Sequence, residues 1–197
     1  MLVEKIEKAK KGMYKITVDG DLYLFSDDTI VEYRLTVGHE TTLKELEEAK
    51  KTEELARFYK MAVSYEIRYA KGERRVREYL FDKGASNSAI SIIIEKMKKT
   101  KIINDNMLIK SLISSLARKG NGKALIKEKL YQRGFDKEDI QLGIDEMDLV
   151  EYRDGLIKLF NKIEHKYDKY DSFIKKEKQK AYLLGRGYSY SDISFLF

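Results

Sequence analysis

The sequence predicts a mainly α protein: three tandem three-helix repeats forming an elongated, curved array, preceded by a small N-terminal β-hairpin and helix. Three observations carry this. The 197 residues contain no proline and many Glu, Lys, Leu and Ile, which favours long uninterrupted helices. A Leu-x-x-(Lys/Arg)-Gly signal occurs three times with the same flanking pattern. Near the N-terminus, one short stretch alternates apolar and polar residues around an Asp-Gly pair.

That stretch comes first. Tyr14, Ile16 and Val18 share one face of a strand, Asp19-Gly20 suits a two-residue type I′ turn, and Leu22 to Phe25 returns. Ser26-Asp27-Asp28 offers helix-start chemistry before Ile30, Val31, Tyr33 and Leu35, a segment that fits either a helix or a third strand. Thr42 and Glu45 form a capping box that opens a helix through Leu43, Leu46 and Ala49. A lone hairpin is unstable in water, so this piece is expected to pack on the helices that follow.

From residue 55 the chain repeats itself. Gly84, Gly134 and Gly187 are spaced by 50 and 53 residues. Before them, Leu80, Leu130 and Leu183 lie on the buried face of a last helical turn. Lys83, Arg133 and Arg186 place positive charge where the helix dipole favours it. The glycines suit the left-handed residue just past a helix end. Ser86, Asp136 and Ser189 then cap the next helix, and Ala85/Ile90, Phe135/Ile140 and Tyr188/Ile193 have hydrophobic-staple spacing. Further helical segments read as Glu54–Tyr69, Asp105–Lys119 and Leu156–Tyr167. The expected units are an N-terminal segment over 1–54 and repeats over 55–105, 106–155 and 156–197. Cores this small either share contacts with their neighbours or remain loosely joined.

Several function classes fall away. With 37% charged and 43% hydrophobic residues the chain is too apolar to be disordered. It has no run near the ~18 apolar residues of a membrane span. Its charged start lacks the apolar core of a signal peptide, so a soluble, cytoplasmic chain is expected; a monomer is the expected state. The absence of cysteine removes thiol nucleophiles and Cys-based zinc sites, and His39 and His165 are too isolated to suggest a metal cluster. Arg118-Lys119-Gly120-Asn121-Gly122-Lys123-Ala124 imitates a phosphate loop, but Ala117 stands at its first glycine and Ala124 replaces the magnesium-binding hydroxyl. The acidic run Asp145-Glu146-Met147-Asp148 reads as a solvated helix end. No catalytic residue, cofactor or metal is expected.

What remains is charge. Residues 1–56 carry 9 basic and 13 acidic side chains; residues 57–197 carry 30 and 20, a net of +10. Such a surface suits a polyanionic partner. Arg68, Lys71, Arg74, Arg75 and Arg77 form the densest cluster. With Val76 and Leu80 facing inward, Arg74 points away from them, flanked by Arg75 and Arg77. Lys119, Lys123, Lys127 and Lys129 occupy similar ground in the second repeat. These nine residues are the candidate partner- or DNA-binding face. Some of the 14 tyrosines can serve as stacking platforms, although those at helical spacing read mostly as core.

The order of parts resembles the RecX family of bacterial recombination regulators. The resemblance rests on Tyr65-Glu66-Ile67-Arg68-Tyr69-Ala70, Glu73-Arg74-Arg75-Val76-Arg77-Glu78-Tyr79-Leu80 and Lys83-Gly84. It continues in Asn104-Asp105 before Leu108 to Ile113, and in Arg118-Lys119-Gly120 through Ile126, Leu130 and Gly134. Ala70-Lys71 and Asn104 depart from the family pattern, and the third repeat keeps only its turn clearly. The resemblance implies a non-enzymatic regulator that binds the RecA recombinase filament, with some contact to single- or double-stranded DNA, and inhibits ATP hydrolysis and strand exchange. The alternative reading is a general nucleic-acid-binding helical-repeat module with no recombinase partner.

Overall fold

The computed structural model describes residues 1–9 and 12–197. The N-terminal piece is larger than a hairpin. Strands β1 (Val3–Lys8), β2 (Met13–Val18) and β3 (Asp21–Ser26) form an antiparallel sheet in that order. The Asp19-Gly20 turn has positive φ at both residues, 47° and 84°, as a type I′ turn requires. Edge strand β1 escapes the alternation test because Glu and Lys fill most of its positions, leaving Val3 buried and Ile6 half-buried. Charged edges of this kind also discourage pairing with other chains.

Ile30 belongs to a short helix, α1 (Asp27–Glu32), capped by Ser26. It packs with Leu35 and the inward residues Val3, Ile16, Val18, Tyr23 and Phe25 against Leu46 and Ala49 of the next helix. The Glu53 carboxylate of that helix accepts from Ser26 N–H at 2.7 Å, Ser26 Oγ at 2.6 Å and Thr29 Oγ1 at 2.7 Å, which pins the sheet in place.

That helix, α2 (Leu43–Tyr69), runs unbroken for 27 residues from the Thr42–Glu45 capping box to Ala70, which adopts the left-handed conformation. The boundary expected at residue 54 therefore falls inside it. Lys50-Lys51-Thr52-Glu53-Glu54 is polar, but it contains nothing that breaks a helix. Beyond it follow α3 (Glu73–Asp82), α4 (Asn87–Lys99), α5 (Asp105–Arg118), α6 (Lys123–Gln132), α7 (Lys137–Asp145), α8 (Leu149–Ile163), α9 (Ser172–Gly185) and α10 (Tyr190–Ile193), then a 3-10 turn over Ser194–Leu196. Helix α8 starts earlier than its apolar spacing suggests, so the boundary expected at 155/156 also lies within a helix. Asp148, from the acidic run, is its N-cap and accepts from Val150 and Glu151 N–H.

The recurring turns form as their sequence dictates. After α3, Ala85 N–H donates to Leu80 O and Gly84 N–H to Phe81 O, with φ of 88° at Gly84. The same paired bonds close α6 at Gly134 and α9 at Gly187. All three are Schellman motifs, whose left-handed residue favours glycine. Ser86, Asp136 and Ser189 cap the following helices as expected.

The units meet end to end. Gly72 N–H, at the start of α3, donates to Arg133 O at the end of α6 (2.9 Å); Gly122 N–H, at the start of α6, donates to Arg186 O at the end of α9 (2.8 Å). A Cβ on Gly72 would lie 2.5 Å from the Gly134 carbonyl carbon, and one on Gly122 would lie 2.1 Å from that of Gly187. Glycine is thus required there for close approach, since both N-caps have ordinary negative φ. The middle helices form a spine in which the carboxyl ends of α6 and α9 face the amino ends of α3 and α6, so their dipoles align. The helices α2–α4 enclose one core around Phe58, Ile93, Ile94 and Met97; α5 to α10 share a second around Ile109, Leu130, Phe135 and Leu156. The surface area is 12515 Å², against ~9,700 Å² for a compact protein of this mass, so the array is extended.

Candidate partner-binding surface

The nine basic candidates do not all share one free face. Arg68 is exposed, and Lys71 is half-buried at the turn between α2 and α3. Together with Lys60, Tyr65, Tyr69 and Tyr79 they line an open cleft of about 670 Å³. Tyr65 and Tyr79 stack with ring centroids 4.2 Å apart, and Tyr69 leans on Tyr65 at 5.1 Å. Cations beside an aromatic wall suit a planar, anionic ligand. Lys60, Tyr65, Arg68 and Tyr69 lie within the last turns of α2, whereas Tyr79 of α3 joins them only because the two helices pack together, which spacing along one helix does not reveal.

Arg74 and Arg75 lie at the first joint of the spine. Arg74 Nη2 donates to Tyr131 O at 2.7 Å, with its guanidinium 4.7 Å from the centre of the Tyr131 ring. Arg75 Nε donates to Gln132 O at 3.2 Å, and its Nη1 donates to Glu78 at 2.7 Å. Both guanidiniums therefore cap the negative end of α6. Arg77 pairs with Glu73 at 2.7 Å, and Lys98 shares that carboxylate.

In the second repeat, Lys127 donates to Gln141 at 2.6 Å and Lys129 to the buried Asn121 at 2.9 Å. The Lys123 ammonium lies 5.6 Å from the centre of the Tyr152 ring. Lys119 is exposed, and its carbonyl accepts from Arg186 Nη2 at 3.2 Å. The turn Gly120-Asn121-Gly122, which imitates a phosphate loop in sequence, serves this second joint instead.

Two carboxyls lie behind the first joint. Burial raises the Glu66 carboxyl to about 7, opposed by a hydrogen bond from Lys71 N–H (3.2 Å) and reinforced by the nearby Asp105. Burial also raises Asp105, which accepts from Glu73 N–H at 3.1 Å. At the second joint the Tyr152 hydroxyl takes that place, accepting from Lys123 N–H at 3.3 Å while donating to Asp192. Among the described residues, no group of three or more His, Asp or Glu is placed to hold a metal ion, and no helix is long and apolar enough to cross a membrane.

Comparison with known proteins agrees with this architecture. The sequence profile described as RecX, third three-helix domain, matches residues 151–197. A regulatory protein RecX of Streptococcus uberis is 30% identical over 193 residues, covering 96% of this chain and 73% of the relative. One of Streptococcus pneumoniae is 30% identical over 203 residues, covering 100% and 76%. The crystal structure of a regulatory protein RecX superposes with a TM-score of 0.75 at 20% identity over 98% of this chain and 97% of that one. That of RecX from Lactobacillus salivarius gives 0.67 at 22% identity, covering 73% and 94%. With near-complete coverage at that identity and the same succession of sheet and helices, the chain belongs to the RecX family of regulatory proteins.

Proposed function

We propose that this chain regulates recombination by binding the RecA recombinase filament and lowering its ATP hydrolysis and strand exchange, as a cytoplasmic monomer without catalysis of its own. Family membership over nearly the whole chain carries this reading. The geometry supports it: an extended array of small bundles offers a long contact surface, and the net positive charge lies on that array and not on the N-terminal sheet. Titrating the protein from substoichiometric to equimolar amounts into an ATP-hydrolysing RecA filament is expected to lower the rate. No change across that range overturns the proposal.

Direct binding of single-stranded nucleic acid is the second reading, favoured by the tyrosine-walled cleft flanked by Lys60, Arg68 and Lys71. It predicts tight binding to naked oligonucleotide with an affinity that falls steeply as salt rises. Weak binding to naked DNA beside strong binding to the filament separates the two readings.

A further inference from the structure

The middle helices of the three units end alike but are not covered alike. The carboxyl end of α6 receives Gly72 N–H, Arg74 and Arg75 of α3. That of α9 receives Gly122 N–H on Arg186 O and Ala124 N–H, 3.1 Å away, on Gly187 O. A Cβ placed on Gly134 or Gly187 would strike the helix seated there, at 2.5 Å from Arg75 Cγ or 2.4 Å from Leu125 N. At Gly84, which ends α3 with the same turn, it would meet nothing within 4 Å.

The unoccupied end repeats the chemistry of the occupied ones. Fifty residues before Tyr131, Gln132, Arg133 and Ile140 stand Phe81, Asp82, Lys83 and Ile90. Arg77, Phe81, Asp82, Asn87 and Ile90 line an open hollow of about 490 Å³. Phe81, whose counterpart lies under a guanidinium, is 64% exposed. The carbonyls of Asp82 and Lys83 correspond to those that accept from Arg75 and Gly72, yet they accept no bond among the described residues. A helix carboxyl end with free carbonyls and an aromatic ring beside it attracts N–H donors and guanidinium groups.

We infer that the carboxyl end of α3 is a docking seat for the amino end of a helix on the filament protein, one whose first turn presents free N–H groups and an arginine. The inference rests on the filament reading above and names the chemistry of one contact in it. A second copy of this chain is a poor occupant. The amino end that its own spine leaves unseated is that of α9, where Asp171 already accepts from Phe173 and Ile174 N–H, so a carboxylate would meet the negative end of α3.

The test compares Phe81→Lys and Phe81→Tyr with the unaltered chain in the filament ATPase titration, alongside thermal melts. Phe81 is exposed and lysine suits a helix carboxyl end, so both variants are expected to melt like the parent. Phe81→Lys removes the ring and repels the incoming guanidinium, so its half-inhibitory concentration is expected to rise by about tenfold or more. Phe81→Tyr, which copies the residue at the occupied end of α6, stays within about twofold. Equal inhibition by a folded Phe81→Lys overturns the docking seat while leaving the filament reading intact. Failure of the unaltered chain to inhibit overturns both. Concentration-dependent self-association in sedimentation, abolished by Phe81→Lys, assigns the seat to a second copy and overturns the occupant named here.

Discussion

Replacing Gly122 with alanine tests the spine with little local disturbance. The residue has φ of −74° and ψ of 164°, a conformation any residue adopts, so alanine introduces no backbone strain of its own. Its methyl carbon would lie 2.1 Å from the Gly187 carbonyl carbon and 2.2 Å from Tyr188 N. Carbon atoms rest at about 3.5–4 Å, so the two helix ends must separate by more than an ångström. The bonds from Gly122 N–H (2.8 Å) and Ala124 N–H (3.1 Å) would then exceed hydrogen-bonding distance. Losing two such bonds costs about 2 kcal/mol, and alanine is a poorer N-cap than glycine by about 1 kcal/mol. The expected loss is therefore about 3 kcal/mol, measured by urea denaturation followed by circular dichroism. Hydrogen exchange should show the amides at 122 and 124 losing protection. Gly84→Ala is the matched control: it has open space but φ of 88°, and should cost only about 1 kcal/mol. If Gly122→Ala matches the parent within about 0.5 kcal/mol and keeps both amides protected, the end-to-end joint is wrong.

Other expectations follow from the same geometry. Arg74→Ala with Arg75→Ala should destabilise the protein by about 1–3 kcal/mol in urea denaturation, because two carbonyls at the end of α6 lose their donors. Arg68→Glu with Lys71→Glu should instead leave the melt unchanged and weaken filament inhibition several-fold; unchanged inhibition removes the cleft from the contact. Glu66→Gln probes the buried carboxyl. Because folding raises this group from 4.5 to about 7, its proton stabilises the native state fully below the lower value, and that contribution disappears as pH rises through the upper one. The unaltered chain should therefore lose about 3 kcal/mol relative to Glu66→Gln between pH 4.5 and 7.5, and parallel urea-midpoint profiles for the two proteins would refute this.

The sequence is most informative where one local rule decides the outcome. The Leu80–Gly84–Ser86 turn and its two repeats satisfy dipole, left-handed glycine, N-cap and staple requirements within ten residues, so each is legible without knowledge of the fold. Strand β1 is not, because four of its six residues are Glu or Lys and only Val3 and Ile6 mark its inner side. The fusion of two expected helices into α2 follows a different logic. Polar residues between apolar stretches resemble a linker, yet polarity alone does not end a helix, and the first left-handed residue after the Thr42 cap is Ala70. The candidate surface was legible in composition but not in placement. Periodicity directs Arg74 outward from its own helix, which is true; it cannot foresee that α6, more than forty residues later in sequence, arrives to occupy that position.

A chain of bundles linked carboxyl end to amino end has a direction. Turned around, it would offer the Asp171 carboxylate where it now offers bare carbonyls beside Phe81, so its two extremities are chemically distinct. On any track that itself runs one way, two unlike ends would distinguish one orientation of such a molecule from its reverse, without a nucleotide to set the heading.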